Sequence, residues 1–156
     1  MQNEIELAVK LSNILFINNK KLLKSKNTRE SYPWTEKEYR RALIIDDESD
    51  IRNLLSNILK KENIQSVTVG SLAEADEVLQ SNRDFSVVFL DNHLPDGLGI
   101  AYISQLRKNS PASRIVMITA QDTNPDRVNA HANGANFFLK KPFSVESILQ
   151  AIRRTA

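Results

Sequence analysis

Hydrophobic and polar positions follow one another along most of the chain in blocks that predict a strand and then a helix, five times over. Short apolar runs rich in β-branched and aromatic residues predict buried strands, at 43–45, 67–69, 85–91, 115–119 and 136–139. Apolar residues at helical spacing follow each run, at about 51–59, 72–79, 100–106, 125–133 and 145–152. Such strict alternation with short loops is typical of an α/β fold with a parallel, doubly wound sheet.

Two of these helices have recognisable boundary residues. Ser71 stands directly before the second helical segment, where its hydroxyl can accept a hydrogen bond from a free backbone N–H. Gly134 follows the fourth segment and is predicted to close that helix, because glycine readily takes the left-handed conformation of a C-terminal cap. Between the third strand and its helix, the Leu94–Gly97 segment has the composition of a turn.

The first 40 residues have a different pattern. The pattern of residues 4–24 predicts one amphipathic helix with a broad apolar face and an opposite face of polar and charged residues such as Glu6 and Lys10. The apolar face is too wide for a simple coiled coil, and the charges exclude a membrane span and a signal peptide. We therefore expect residues 1–40 to form a helix and linker that dimerise or bind a partner, and residues 41–156 to form the main domain.

Composition narrows the chemistry. The chain has 156 residues, no cysteine, and only His93 and His131 as histidines. Disulfides, thiolate zinc sites and cysteine nucleophiles are thereby excluded, and a histidine-built metal centre is disfavoured. The net charge of +2 gives no general case for nucleic acid or membrane binding. The basic cluster from Lys20 to Arg29 could contact an anionic surface, but such runs are usually solvated. A cytoplasmic location is expected.

Reactive side chains follow four of the predicted strands. Asp46 and Asp47 come after the first strand, Asp91 ends the third, Thr119 ends the fourth, and Lys141 follows the fifth. In a parallel sheet these strand ends share one edge, where α/β proteins bind their ligands. With a flavodoxin-like strand order of 2-1-3-4-5, the first and third strands flank the switch point. Carboxylates converging there repel one another and favour a hard cation, best Mg²⁺ or Mn²⁺.

This arrangement resembles the receiver domain of bacterial two-component response regulators, over about residues 41–154. The resemblance implies that Asp91 accepts a phosphoryl group from a histidine kinase or phosphotransfer protein. It also implies that Asp46, Asp47, Asp91 and the backbone carbonyl of His93 hold Mg²⁺. Lys141, which precedes Pro142, would pair with the phosphoryl oxygens, and the family has a cis bond at this position.

The same resemblance assigns switching and tuning positions. Thr119 matches the hydroxyl and Phe138 the aromatic residue that rearrange on phosphorylation, although a tyrosine is commoner than phenylalanine there. Residues His93 and Gln121 stand where the family tunes dephosphorylation, and the His93 side chain is expected to face solvent. The responding surface would comprise helix 4, strand 5 and helix 5, as a docking face for a dimer mate or target.

Three other functions are compatible with parts of the pattern. A haloacid-dehalogenase-type phosphatase also uses a strand-end aspartate, but it needs a second aspartate where this chain has His93. A flavodoxin-like cofactor binder needs a phosphate loop after the first strand, and Asp46-Asp47-Glu48 would repel phosphate without a metal. A receiver that is never phosphorylated and serves only as an interaction module is the third alternative. The expected role is a signalling switch rather than an enzyme.

The output of such a switch is left open by the residues. The chain is expected to be a stand-alone regulator, a receiver taken from a larger protein, or one whose first 40 residues act as the effector. A homodimer through residues 4–24, or through the helix 4, strand 5 and helix 5 face, is expected.

Overall fold

The computed structural model describes residues 40–121 and 123–153. The helix predicted at 4–24 lies outside these residues. The described chain runs in the order β1 (Arg40–Ile45), α1 (Ser49–Lys61), β2 (Ile64–Val69), α2 (Leu72–Ser81), β3 (Val87–Asp91), β4 (His93–Leu94), β5 (Gly97–Leu98), α3 (Gly99–Asn109), β6 (Arg114–Thr119), α4 (Asn124–Ala132), β7 (Phe137–Lys140) and α5 (Val145–Ile152).

Five of the strands form one parallel sheet in the order β2-β1-β3-β6-β7. Since β6 and β7 are the fourth and fifth predicted strands, the predicted order 2-1-3-4-5 is confirmed. β1 pairs with β2 on one side and with β3 on the other, so the direction in which successive strands are added to the sheet reverses between β1 and β3. This switch point lies at the strand ends that carry Asp46 and Asp91.

Two apolar layers cover the two faces of this sheet. All five residues of β3 are buried, and neighbouring residues along the strand belong to opposite layers, as with Val88 and Phe89. Helices α1 and α5 supply one layer, while α2, α3 and α4 supply the other. A strand buried on both faces needs apolar residues at every position, which explains the uninterrupted apolar runs.

The remaining boundaries confirm most of the local predictions. The Ser71 hydroxyl caps α2 by accepting a hydrogen bond from Glu74 N at 3.2 Å. Gly134 ends α4 with a φ of 107°. The Leu94–Gly97 segment is more ordered than a simple turn, because His93 and Leu94 pair with Leu98 and Gly97 as the short antiparallel hairpin β4–β5. β2 begins at Ile64, three residues before the predicted Val67. No helix within the described ranges has the length and hydrophobicity needed to cross a bilayer.

Candidate functional site

The carboxyl ends of β1, β3, β6 and β7 bring four of the predicted site residues to one edge of the sheet. Asp46 is fully buried, Asp91 is 4% exposed and Thr119 is 2% exposed, although all three side chains are polar. Asp47, by contrast, is exposed. Burial of polar side chains at strand ends costs free energy unless they are paired, so their partners indicate what the site is built to hold.

Lys141 is the centre of this cluster. Its ammonium nitrogen lies 2.9 Å from Asp46 Oδ2, 2.7 Å from Glu48 Oε1 and 3.6 Å from Asp91 Oδ1. The neighbouring Lys140 is exposed, so Lys141 is the lysine that points into the site. The peptide bond between Lys141 and Pro142 is cis. Lys141 N also donates to Thr119 O at 2.8 Å, which ties the loop after β7 to the end of β6.

The charges shift one another's proton affinity. Burial and the negative charge of Asp46 raise the pKa of the Asp91 carboxyl, Lys141 opposes them, and the net result is a pKa of about 6. Burial likewise raises the pKa of Asp46, against hydrogen bonds from Lys141 and from Glu48 N. For Lys141, burial lowers the pKa, but hydrogen bonds to Glu48 and Asp46 outweigh it and raise the pKa to about 12. The lysine therefore stays charged at neutral pH.

Backbone contacts fix the acidic loop after β1. Glu48 N donates to Asp46 Oδ1 at 2.9 Å, which orients the buried carboxylate. From one turn into α1, Arg52 Nη1 donates to the backbone carbonyls of Asp46 and Asp47 at 2.7 and 3.1 Å. The backbone N–H of Glu48 and the guanidinium of Arg52 thus both fix the conformation of this loop.

The backbone after Asp91 is fixed by Gly99 and Asn92. Gly99 N donates to Asn92 O at 2.9 Å, and the Asn92 side chain accepts from Ile100 N at 3.1 Å. A Cβ placed on Gly99 would lie 2.2 Å from the backbone oxygen of Asp91. Only glycine therefore allows α3 to start this close to the strand end.

The hairpin β4–β5 is anchored at its tip by Asp96. The carboxylate of Asp96 accepts hydrogen bonds from Leu72 N at 3.0 Å and Ala73 N at 2.9 Å, at the amino end of α2. These two hydrogen bonds lower the pKa of Asp96. A residue five positions after Asp91 thus caps a helix on another part of the domain.

A divalent cation fits the donor set at this edge. The carboxylate oxygens of Asp46, Asp47 and Glu48 lie within 4.8 Å of one another. Asp46 Oδ2 is buried, and apart from its ion pair with Lys141 it has no hydrogen bond from any described residue. Several carboxylate oxygens grouped around a buried one whose only described partner is an ammonium suit hard cations such as Mg²⁺ or Ca²⁺. The sequence predicted Asp91 and the backbone carbonyl of His93 as metal ligands beside Asp46 and Asp47. In the structure, the carboxylate grouped with Asp46 and Asp47 is that of Glu48.

The remaining predicted residues surround this centre. His93 is exposed on β4. Gln121 is also exposed, and its backbone N–H donates a hydrogen bond to Thr119 Oγ1 at 3.1 Å. Phe138 is partly buried against the core, and the guanidinium carbon of Arg127 lies 5.3 Å from its ring centroid. Neither His93 nor Phe138 is among the groups that contact Lys141.

Sequence reasoning missed three residues that organise the site. Glu48 was recognised only as part of an acidic run, and its ion pair with Lys141 joins residues 93 positions apart. Arg52 has a weak sequence signal, because basic residues on helices are common. Asn92 had the strongest available signal, since asparagine after a strand often accepts hydrogen bonds from a following turn.

Comparison with known proteins agrees with this geometry. Residues 42–153 match the family model described as the response regulator receiver domain. The transcriptional regulatory protein YxdJ of Bacillus subtilis is 37% identical over 112 residues, which are 71% of this chain and 48% of YxdJ. The chain thus spans about half the length of this curated relative.

Solved structures give the same result. The beryllofluoride-activated NtrC4 receiver domain dimer is 39% identical with a TM-score of 0.68, covering 72% of this chain and 92% of that one. A response regulator from Burkholderia pseudomallei, solved with a phosphorylated aspartic acid, calcium ion and citrate, is 28% identical with a TM-score of 0.68. It covers 73% of this chain and 66% of the other chain.

Proposed function

The chain belongs to the response regulator receiver domain family, and on that premise we propose that it is a phosphorylation switch in which Asp91 accepts the phosphoryl group. Proteins of this family are signalling proteins, and we expect this chain to transmit a signal rather than to turn over a substrate. The single observation that carries the proposal is the approach of the Lys141 ammonium to three carboxylates, with Asp91 Oδ1 3.6 Å away at the end of the central strand.

The proposed reaction is an in-line phosphoryl transfer. A carboxylate oxygen of Asp91 forms a bond to phosphorus while the bond from phosphorus to the donor breaks, and the donor keeps that electron pair. The donor would be a phosphohistidine of a kinase or phosphotransfer protein, or a small acyl phosphate. With its pKa near 6, Asp91 is mostly ionised at neutral pH and can act as the nucleophile without a separate base.

Lys141 and Thr119 supply the polar groups that a phosphoryl group on Asp91 requires. The charged ammonium of Lys141 lies 3.6 Å from Asp91 Oδ1, so it can pair with the oxygens of a phosphoryl group on Asp91. Thr119 is buried at the end of β6, the strand next to β3, where its hydroxyl can donate to the new group. Its movement toward the phosphoryl group would alter the packing near Phe138 on β7.

A divalent cation completes the proposal. Asp46 and Asp47, with Asp91 and the His93 carbonyl as the family resemblance implies, would hold Mg²⁺, and Glu48 is a further candidate ligand. When bound, the cation would neutralise charge on the transferring group. The hydrogen bond from Glu48 N already orients the carboxylate of Asp46 for this role.

The proposed output is a change in the surface formed by α4, β7 and α5. We propose that this face docks a target or a second copy of the chain, and that residues 1–40 provide a separate dimerisation or partner element. His93 and Gln121 would set how long the phosphoryl group persists, because both are exposed beside the site.

Intact-mass measurement after incubation with acetyl phosphate and Mg²⁺ tests the proposal. We expect the mass to increase by one phosphoryl group, with no increase for Asp91→Asn or without a divalent cation. Lys141→Met should reduce the phosphorylated fraction strongly, while Lys140→Met serves as the matched exposed control. A phosphorylated Asp91→Asn variant would contradict the assignment of the acceptor. No phosphorylation of the native chain by any donor would favour the interaction-module alternative.

A further inference from the structure

A second polar site lies at the edge of the sheet opposite Asp91. A cleft of about 640 Å³ opens there, where strands β1 and β6 begin. Four of its lining residues are arginines, Arg40, Arg41, Arg107 and Arg114. Among the described residues, Asp84 is the one carboxylate that lines the cleft. The described lining therefore carries an excess of three positive charges, in a protein whose formal net charge is only +2.

These arginines differ in how many of their guanidinium N–H groups already donate hydrogen bonds. Arg107 is fully engaged, because its guanidinium donates to the carbonyls of Ser113 and Gly134 and holds α3 to the loop before β7. Its role is structural. Within the part of the chain that the structure describes, each of the other three arginines has guanidinium N–H groups without a hydrogen-bond partner.

Arg40 and Arg114 each use part of their guanidinium to satisfy the end of α5. Arg40 Nη2 donates to Ile152 O at 2.7 Å, and Arg114 Nη1 donates to Arg153 O at 3.2 Å. The Nε atoms of both arginines are buried and have no hydrogen-bond partner among the described residues. An atom this buried cannot contact a ligand in the cleft, so Arg40 and Arg114 would reach one only through their remaining Nη groups.

Among the described residues, an aromatic ring rather than an acid contacts the guanidinium of Arg41. Its guanidinium carbon lies 5.4 Å from the centroid of the Phe85 ring. Arg114 is placed in the same way, 5.8 Å from the Phe137 ring. Stacking on a ring leaves the edge of a guanidinium free to donate hydrogen bonds, and within residues 40–121 and 123–153 Arg41 has no carboxylate partner.

Capping of α5 explains why arginines stand at two of these positions, because cations are favourable at a helix C-terminus. It does not explain the placement of Arg41, whose guanidinium lies over a ring on the α2–β3 loop. Recognition of an anion accounts for Arg41 and for the concentration of arginines around the cleft. The cleft volume also lies within the range of about 300–1,000 Å³ that is typical of small-molecule sites.

We propose that this cleft binds a small organic phosphate of nucleotide size. Guanidinium groups match phosphate oxygens in a bidentate geometry, and rings behind them hold the planes in place. The phosphate would lie among Arg40, Arg41 and Arg114, and the organic part would occupy the rest of the cleft. This site is separate from Asp91, because it involves the amino ends of the strands and does not depend on phosphorylation.

Amide chemical shifts of the full-length chain provide the test, with adenosine 5′-monophosphate as the probe and adenosine as its phosphate-free control, both without Mg²⁺. We expect saturable shifts at Arg41, Ser86 and Arg114 with the monophosphate and none with adenosine. Arg41→Gln should weaken binding about tenfold or more. Arg41→Lys should retain part of the affinity, because lysine keeps the positive charge but lacks the bidentate donor geometry of a guanidinium. Lys60→Gln, which removes an exposed charge from α1, is the matched control.

Three outcomes would overturn the proposal. These are the absence of saturable shifts at millimolar probe, equal responses to adenosine and its monophosphate, or an equal loss of affinity in Lys60→Gln and Arg41→Gln. Each variant is first checked for acetyl-phosphate-dependent phosphorylation and for an unchanged unfolding midpoint. A failure of the cleft to bind is thereby distinguished from a failure of Asp91 to be phosphorylated.

Discussion

Lys141 and Glu48 form the shortest ion pair of the site, with 2.7 Å between Nζ and Oε1. The same nitrogen lies 3.6 Å from Asp91 Oδ1, so the lysine is held closer to the exposed glutamate than to the proposed acceptor. A phosphoryl group on Asp91 would carry more charge than a carboxylate and would compete with Glu48 for the ammonium. Exchange of Lys141 between these two partners is therefore an expected part of the switch.

The charge of Lys141 is predicted to hold down the pKa of Asp91. Lys141→Met should raise that pKa above about 6, because burial and the charge of Asp46 would then act without the opposing cation. Carboxyl carbon chemical shifts measured against pH, without divalent metal, give the pKa directly. Lys140→Met is the control and should leave the Asp91 pKa at about 6. An identical Asp91 pKa in the two variants would mean that Lys141 does not act on this carboxylate.

Ionisation of Asp91 is predicted to destabilise the metal-free protein. The pKa of Asp91 rises from 3.8 to about 6 on folding, so the native state binds more protons than the unfolded chain between these values. Stability contributed by the protonated carboxyl is then lost as pH rises from about 4 to about 6. Asp91→Asn should raise the free energy of unfolding at pH 7.5 by about 1–3 kcal/mol.

Urea unfolding in the presence of a chelator measures this effect. At pH 3.5 the gain from Asp91→Asn should vanish, because the native carboxyl is then neutral as well. A gain of equal size at both pH values would assign the effect to packing of the amide rather than to charge.

Mg²⁺ is predicted to stabilise the folded chain by binding to the carboxylates after β1. At a free concentration ten times Kd, binding to the native state alone raises the free energy of unfolding by about 1.4 kcal/mol. Thermal unfolding with Mg²⁺ and with a chelator measures the difference. Asp46→Asn should abolish it, whereas Asp50→Asn, outside the three-carboxylate group in the first turn of α1, should not. Equal stabilisation of both variants would place the cation elsewhere.

Asp96 is predicted to stabilise α2 only in its ionised form. Its pKa is lowered on folding by hydrogen bonds from Leu72 N and Ala73 N, so its contribution is present above the ordinary value of 3.8 and is lost as pH falls below it. Asp96→Asn should lower the urea midpoint at pH 7 and have a smaller effect at pH 3. Hydrogen exchange at Leu72 and Ala73 should accelerate in the variant. Unchanged exchange at these amides would show that the cap is dispensable.

Residues 1–38 are predicted to be dispensable for phosphorylation but needed for the native oligomeric state. The deletion stops before Arg40, because Arg40 begins β1 and donates to Ile152 O. Acetyl phosphate should phosphorylate the shortened chain at the normal rate, while sedimentation velocity should show a smaller species. If the full and shortened chains sediment as the same oligomer, the amphipathic segment is not a dimerisation element.

The periodic pattern predicted the sheet well because β1, β3 and β6 are buried on both faces and need unbroken apolar runs. Hairpin β4–β5 was missed, since two-residue strands are too short to show any alternation. β2 was predicted too short, because Gln65 and Ser66 interrupt its apolar residues near the sheet edge.

The site was predictable where residues stand at strand ends, as with Asp46 and Asp91, because parallel strands place those ends together. Contacts that long side chains make across this edge of the sheet could not be predicted. The pairing of Glu48 with Lys141 and the reach of Asp96 to α2 depend on loop conformation, which the local sequence does not specify.

The arginine-lined cleft and the carboxylates around Asp91 stand at the two ends of the same strands. The carboxylates of Asp46, Asp47, Glu48 and Asp91 at one end and the arginines at the other contribute charges of opposite sign, and therefore a field directed along the sheet. In salt of physiological strength such a field acts over roughly 8 Å, enough to rotate an approaching charged surface before contact. A negatively charged surface would thus meet the arginine edge first, and a cationic one the edge where Asp91 lies.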